Sequence, residues 1–243
     1  MVISFHLVRV ARHAIAGAAL RSRSRRYRRV PGLRFLRTLG TGSGSSMTFG
    51  ADLSRWATLA VWEDNHVYQQ FLSSTLAPEQ HPRVVEWWRA EFALVSAHGS
   101  WNRVNPFADC PEVDPGDGPV AVLTRATIPM RHWRAFRRAV PPVDADLHQH
   151  PGLLATVGIG ERPVGLQATF SLWQNSAAVR AFAYEGPHAE VIRAEARHAW
   201  FAESCFARLA PMSSAGTWSG RDPLAATATP TGHNIPYGEP LVR

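Results

Sequence analysis

The sequence predicts an α+β protein made of two tandem copies of one β-rich unit, packed sheet against sheet. Three observations carry that expectation. The chain repeats its own motifs in the same order, its apolar residues alternate between strand and helix spacing in the same order in each half, and a Pro/Gly-rich stretch separates the halves.

The repeat is visible residue by residue. Gly32-Leu33 in the first half corresponds to Gly152-Leu153 in the second. Trp56-Ala-Thr-Leu-Ala-Val-Trp62-Glu-Asp-Asn65 corresponds to Gln167-Ala-Thr-Phe-Ser-Leu-Trp173-Gln-Asn-Ser176. Val67 to Leu72 matches Ala178 to Ala183, and His81 matches His188. Gly99-Ser-Trp101 matches Gly216-Thr-Trp218, with Pro106 and Pro223 each following at the same distance.

Each half opens on a strand (Val2 to Val10; Val120 to Ile128) and continues with a helical stretch (Arg12 to Arg26; Met130 to Ala139). A second strand follows the Gly-Leu pair, and a third ends at Trp62 or Trp173. A short helix comes next, then a longer amphipathic helix after His81 or His188, then a last strand before Trp101 or Trp218. The order βαββαβ is that of a ferredoxin-like unit. Helices cover one face of such a sheet, and the other face needs a partner, which the second copy supplies. The expected product is a two-sheet α+β barrel: residues 1–104 the first unit, 105–119 the linker, 120–224 the second unit, and 225–243 an extended C-terminal tail.

Composition narrows the function. The chain has 243 residues, 45 % hydrophobic and 19 % charged, with a net charge of +7. The excess positive charge concentrates in Arg21 to Arg37, which contains no acidic residue. That run is either a solvated loop or a peripheral contact with an anionic membrane surface. No zinc-binding cysteine pairs or aromatic ribonucleoprotein motif accompany it, which argues against nucleic acid. Two cysteines, Cys110 and Cys205, do not make a disulfide framework and fit a reducing cytoplasm. No apolar run is long enough to span a bilayer, and the flanks of Val10 to Leu20 are wrong for a signal peptide. There is no Gly-rich dinucleotide fingerprint, phosphate loop or nucleophile elbow, so a Rossmann-bound flavin or nicotinamide is not expected.

The second half carries a family likeness. Gly158-Ile-Gly160-Glu161-Arg-Pro163, Ala168-Thr-Phe-Ser-Leu-Trp173, Ala181-Phe-Ala-Tyr184, His188-Ala-Glu-Val-Ile-Arg193, Trp200-Phe201-Ala-Glu203 and Gly216-Thr-Trp218-Ser-Gly220-Arg-Asp222-Pro-Leu224 together resemble the spheroidene monooxygenase family. The wider dimeric α+β barrel superfamily is similar in shape and includes both heme enzymes and cofactor-free oxygenases. The resemblance implies an oxygenase that uses heme b and inserts oxygen into an apolar polyene. The first half, with its basic run and the Gly40 to Ser46 loop, matches more loosely.

Heme iron takes an axial ligand from His, Cys, Met or Tyr. Read from residues alone, His188 is an N-terminal cap or a hydrogen-bonded core histidine. The resemblance makes it the metal-ligand candidate, because it opens the longer helix of the second half after Gly186 and Pro187. A helix continuing past His188 would align Ile192, Glu195, Ala199 and Phe206 with it. Arg193 and Arg197 are spaced to pair with heme propionates, or else form a solvated helix face. The cavity candidates are Trp62, Trp173, Phe170, Trp200 and Phe201. His198 and Cys205 are alternative ligands, with Cys205 placed in an apolar helix. His148 and His150, at i and i+2, would share a face on a strand and suit zinc or copper, or form a loop pair before Pro151.

The function expected is a heme-dependent monooxygenase acting on a carotenoid-like polyene or a secondary metabolite. It would take electrons from an external donor and work as a monomer or homodimer. The rivals are another heme enzyme of the same fold, such as a dehydratase or nitrogen-oxidising catalyst, and a non-catalytic binder of heme or another apolar ligand.

Overall fold

The computed structural model describes residues 1–11, 27, 30–42, 50–161 and 166–225. The helical stretch expected from Arg12 to Arg26, most of the basic run, most of the Gly/Ser loop and nearly all of the C-terminal tail lie outside the described residues.

Eight antiparallel strands close into one barrel. The first half supplies β1 (Val2–Val10), β2 (Leu33–Gly42), β3 (Ala51–Trp62) and β4 (Val84–Gly99). The second supplies β5 (Val120–Thr127), β6 (Leu153–Gly160), β7 (Leu166–Trp173) and β8 (Glu203–Gly216). Around the barrel the order is β1-β3-β2-β6-β7-β5-β8-β4. Each half therefore contributes four adjacent strands in the same internal order. A long β4–β8 seam joins the halves on one side. On the other, Gly40 pairs with Gly160 and Thr41 with Ile159. The expected sheet-to-sheet packing is thus corrected to edge-to-edge closure, which satisfies the strand edges that a two-sheet arrangement would leave open.

The repeated motifs explain themselves in this frame. Val2 and Leu33 both pair with Trp62, and Val120 and Leu153 both pair with Trp173. The residues two after each tryptophan, Asp64 and Asn175, are N-caps whose side chains accept from Val67 N and Ala178 N. They start α1 (Asn65–Ser73) and α3 (Ser176–Tyr184). The other described helices are α2 (Met130–Gln149) and α4 (Gly186–His198), with a short 3-10 turn at Pro78–Gln80.

Two expectations about helices fail. The segment after His81, read as a long helix with Trp87 and Trp88, is strand β4. Its Ala, Glu and Leu content favours a helix, but Trp88, Ala90, Phe92 and Leu94 are buried at every second position, and tertiary pairing on both edges decides the outcome. The helix of the second half ends at His198, where Ala199 takes the left-handed conformation (φ 44°). Cys205 and Phe206 consequently lie on β8 and not on a helix. In the other direction, α2 runs through Pro141 and Pro142, past the expected end at Ala139.

The barrel interior is solid. Phe5 stacks on Phe170 with ring centroids 3.8 Å apart, and Phe92 meets Phe170 edge-on at 5.8 Å. Leu59, Trp88, Trp101, Leu123 and Leu209 fill the remainder with no exposure. Any ligand site must therefore sit outside the barrel, under the helices.

Two matching clamps close the β4–β8 seam at its ends. Gly99 and Gly216 both have positive φ, 88° and 82°. A Cβ on Gly99 would lie 2.1 Å from the Ser204 carbonyl oxygen, and one on Gly216 would lie 2.3 Å from that of Trp87. Tight turns follow, at Trp101–Val104 and Trp218–Arg221. The Glu203 carboxylate accepts from Ser100 Oγ at 2.9 Å, Asn102 N at 3.1 Å and Arg103 N at 2.6 Å, and pairs with Arg125. Glu86 does the same for the other turn, accepting from Gly220 N at 2.8 Å and Thr217 Oγ1 at 3.3 Å. Gly216→Ala should lower unfolding free energy by about 1–3 kcal/mol in urea titration, because it combines a left-handed backbone with a backbone collision. An unchanged midpoint would show that the seam can shift to accept the methyl.

The outer layer of the first half is filled. Trp62, Tyr68, Phe71 and Ala77 form a buried cluster, and Tyr27 joins it by donating to the Leu76 carbonyl at 2.8 Å. Beneath it His6, 1 % exposed, lies with Nδ1 3.0 Å from Glu79 Oε2 and Nε2 3.3 Å from the Tyr68 hydroxyl. Arg89 donates to the other Glu79 oxygen at 2.8 Å. Burial works to raise the Glu79 carboxyl, but the His6 contact and the Arg89 charge outweigh it and hold the group down at about 2. Glu203 is also held at about 2, burial again being outweighed by bonds from Arg103 N, Arg125, Ser100 and Asn102. Both folded values lie below the unfolded 4.5, so the stabilisation they give is complete above that pH and is lost as pH falls towards 2. Acid unfolding followed by circular dichroism should therefore begin below about pH 4.5. Glu79→Gln should flatten the slope, and an identical slope in the variant would remove Glu79 from the account.

Candidate active site

In the second half the helices stand off the sheet. Helix α2 turns Phe136, Val140, Val143 and Leu147 inward, and α3 contributes Val179 and Ala183. Helix α4 follows through Gly186 (φ 68°) with proline in its first turn, and brings His188 and Val191 to the same space. Its far end is fixed by Glu195, whose carboxylate accepts from Trp200 N at 2.7 Å and Phe201 N at 3.4 Å. Glu195 is thus a structural staple that carries the chain from α4 into β8.

Between these helices and the outward faces of β5, β7 and β8 lies a cavity of about 770 Å³. Its floor carries Thr124, Thr169, Gln167, Ser204 and Phe206, and its walls are mostly aliphatic and aromatic. By register, His6 of β1 corresponds to Thr124 of β5, since Val2 and Val120 both face the motif tryptophan. The first half fills this position with the His6–Glu79–Tyr68 network, whereas the second half leaves it hollow.

His188 lines the same cavity. Its Nδ1 lies 3.3 Å from the Ala183 carbonyl oxygen, which as acceptor fixes the N–H there and leaves Nε2 with its lone pair free. The ring packs on Phe182 at 4.8 Å between centroids. Burial, only partly offset by the Ala183 carbonyl and the Asp146 charge, pushes the imidazole below its usual range.

The other expected site residues divide. Phe201 lines the cavity. Trp173 packs beside it against Phe182 and His150, and Trp200 backs Phe136 from behind, so both support the wall without lining it. Arg193 and Arg197 are exposed on α4 and do not line the cavity. Trp62 belongs to the first half's outer layer and Phe170 to the barrel interior. Cys205 faces the barrel interior, where burial pushes its thiol up to about 11, so it presents no thiolate to the cavity. His198 is exposed at the last residue of α4. His148 lies in the last turn of α2, and His150 caps the helix while accepting from Gly152 N at 3.1 Å. Among the described residues no three His, Cys, Asp or Glu side chains cluster as metal ligands, so that pair builds no zinc or copper site. Among the cavity residues that escaped the sequence reading are His98 on β4, stacked on Phe206 at 5.0 Å, and Arg208 on β8.

Spheroidene monooxygenase of Rhodobacter capsulatus is 34 % identical over 206 residues, covering 81 % of this chain and 83 % of that one. The chain belongs to the spheroidene monooxygenase family. Spheroidene monooxygenase of Rubrivivax gelatinosus is 36 % identical over 193 residues, covering 79 % and 73 % of the two chains. No family model matches the sequence. Among solved structures, an aldoxime dehydratase aligns over 86 % of this chain and 81 % of its own, with a TM-score of 0.55 at 10 % identity. A second, in complex with butyraldoxime, covers 86 % and 79 % with a TM-score of 0.52. These two show a shared fold and leave the chemistry of this spheroidene monooxygenase family member to its own residues.

Proposed function

We propose that the chain is a heme-dependent monooxygenase that inserts oxygen into an apolar polyene of the carotenoid class. The family supports oxygenation and the polyene. The observation that carries the reading of the cofactor is His188, a half-buried imidazole whose Nδ1 meets the Ala183 carbonyl at the wall of a largely apolar cavity. The cavity volume lies within the range of about 300–1,000 Å³ that holds cofactors and drug-sized ligands. A cavity of that size with His188 in its wall fits heme b, and His188 is the residue that would hold the iron.

Heme, when bound there, supplies dioxygen activation. Of the two oxygen atoms, one enters the substrate and the other leaves as water, with two electrons and two protons from an external donor. Val140, Val143 and Val191 exclude water, which suppresses unproductive consumption of dioxygen. Thr124, Thr169 and Ser204 offer hydroxyls that can hold or relay a proton at the floor. Ala183 orients His188 through Nδ1.

We read the two halves as tandem ferredoxin-like copies, of which one keeps the pocket and the other has filled it. Among the described residues no helix is long and apolar enough to cross a membrane. A polyene partitions into bilayers, and the Arg21 to Arg37 run is the candidate element for peripheral contact with one.

The test is turnover. Protein loaded with hemin, supplied with a reductase, dioxygen and a linear carotenoid, should give a product heavier by one oxygen atom that derives from isotopically labelled dioxygen. Label arriving from water, or equal turnover by hemin-free protein, would contradict the proposal.

A further inference from the structure

One charge in the cavity has no counterpart. Arg208 lies on β8 with Ser204 and Phe206 on the outward face, while Cys205, Ala207 and Leu209 point into the barrel. It is half-buried against the cavity, opposite Val122 on β5 and Ser96 on β4. Arg125, the other arginine at the cavity, is committed to Glu203 and Glu161 inside the barrel mouth. Among the described residues Arg208 has no ion pair and no hydrogen bond. The acids nearby do not answer it: Glu195 is held by two backbone amides, and Asp144 lies 3.8 Å from His148.

The Arg208 guanidinium lines a largely apolar cavity without an ion pair and stays open to an anion that a ligand brings. Its planar fork is shaped to bind a carboxylate with two parallel bonds. His98 stands diagonally across the β4–β8 pairing, opposite Phe206, and is exposed at the same cavity, where its ring is available as a second donor. A hydrocarbon polyene has no carboxylate to offer.

We propose that Arg208, assisted by His98, is a carboxylate-binding subsite of the cavity, and that it takes a propionate of the heme that His188 ligates. This deepens the reading of the preceding subsection and rests on it for the identity of the ligand. His98 and Arg208 belong to the sheet and His188 to α4, so the sheet would hold a propionate and the helix the iron.

The experiment is equilibrium titration of the purified full chain, followed by quenching of tryptophan fluorescence and by the porphyrin absorption band. The probes are hemin, metal-free protoporphyrin and the dimethyl esters of both. Wild type should prefer each acid over its ester. Arg208→Gln should weaken binding of the acids by about tenfold or more and leave the esters unchanged, and Arg208→Lys should recover part of the loss. Equal affinity of wild type and Arg208→Gln for hemin, or a parallel loss for acid and ester, would overturn the proposal. Should wild type bind no porphyrin, the heme reading fails, and the carboxylate subsite is then read with retinoic acid against retinol. A preference for the acid that disappears in Arg208→Gln keeps the subsite, and no preference removes it.

Discussion

Replacing His188 by alanine should reduce oxygenation by more than about 100-fold while leaving the fold intact. Loss of a group that merely orients a metal ligand already costs about 10–100-fold, and loss of the ligand itself costs more. The side chain is half-buried and its only described hydrogen bond is the one to the Ala183 carbonyl, so truncation removes little packing. It also leaves an imidazole-sized gap at the wall of a preformed cavity. Added free imidazole should therefore restore part of the activity, whereas added acetate should not. A variant with full activity, or one that unfolds, would show that His188 is an ordinary cap residue. Below its usual range the imidazole is protonated only in acid, so hemin affinity should stay level through neutral pH and fall once protons compete for Nε2.

The largest effect on stability is expected at Glu203. Its carboxylate holds three groups of the Ser100–Arg103 turn and the guanidinium of Arg125, which is only 3 % exposed. Glu203→Ala would strand that charge inside the barrel mouth, leaving it only Glu161 at 3.7 Å and Asn102 at 3.3 Å. Breaking one side of such a pair costs about 3–5 kcal/mol, seen as a lower urea midpoint at unchanged slope. Arg125→Met made in the same background should return much of the loss, because the stranded charge goes with it. If the double variant were as unstable as Glu203→Ala, the penalty would lie in the turn and not in the buried arginine.

How much of this was readable beforehand follows from the physics of each element. The repeat placed β3 and β7 correctly because each ends on a motif whose tryptophan and cap residue are local signals, and β1 and β5 because each is a run rich in β-branched and apolar residues that opens its half. The Asp64 and Asn175 caps act within three residues, and no distant partner is needed to see them. From residues alone His188 reads as a cap or a core histidine, and only the family resemblance singled it out as a ligand candidate. Strand β4 was not legible, since its composition suits a helix and only pairing with β1 and β8 makes it a strand. That error hid His98. The helix extended through Cys205 hid Arg208 in the same way, because strand alternation was never applied to Ser204, Phe206 and Arg208. The tryptophans misled for another reason: most of them fill the core, as Trp62, Trp88 and Trp101 do, and aromatic abundance alone cannot say which face they turn to.

The difference between the two halves has the same character. Nothing local marks His6 as a buried group that fills its own pocket. That role needs Glu79 and Tyr68, which are far from it in sequence and arrive from the 3-10 turn and α1. One half thus spends its outer layer on packing and the other on a cavity, from the same strand order.

The central claim is that the second half holds heme in that cavity through His188. The most direct measurement is the iron content and absorption spectrum of protein purified from heme-supplemented cells. The account predicts one heme per chain, with a strong Soret band that is lost or displaced in His188→Ala. A colourless wild-type protein in heme-replete cells, or a Soret band unmoved by the substitution, would contradict it.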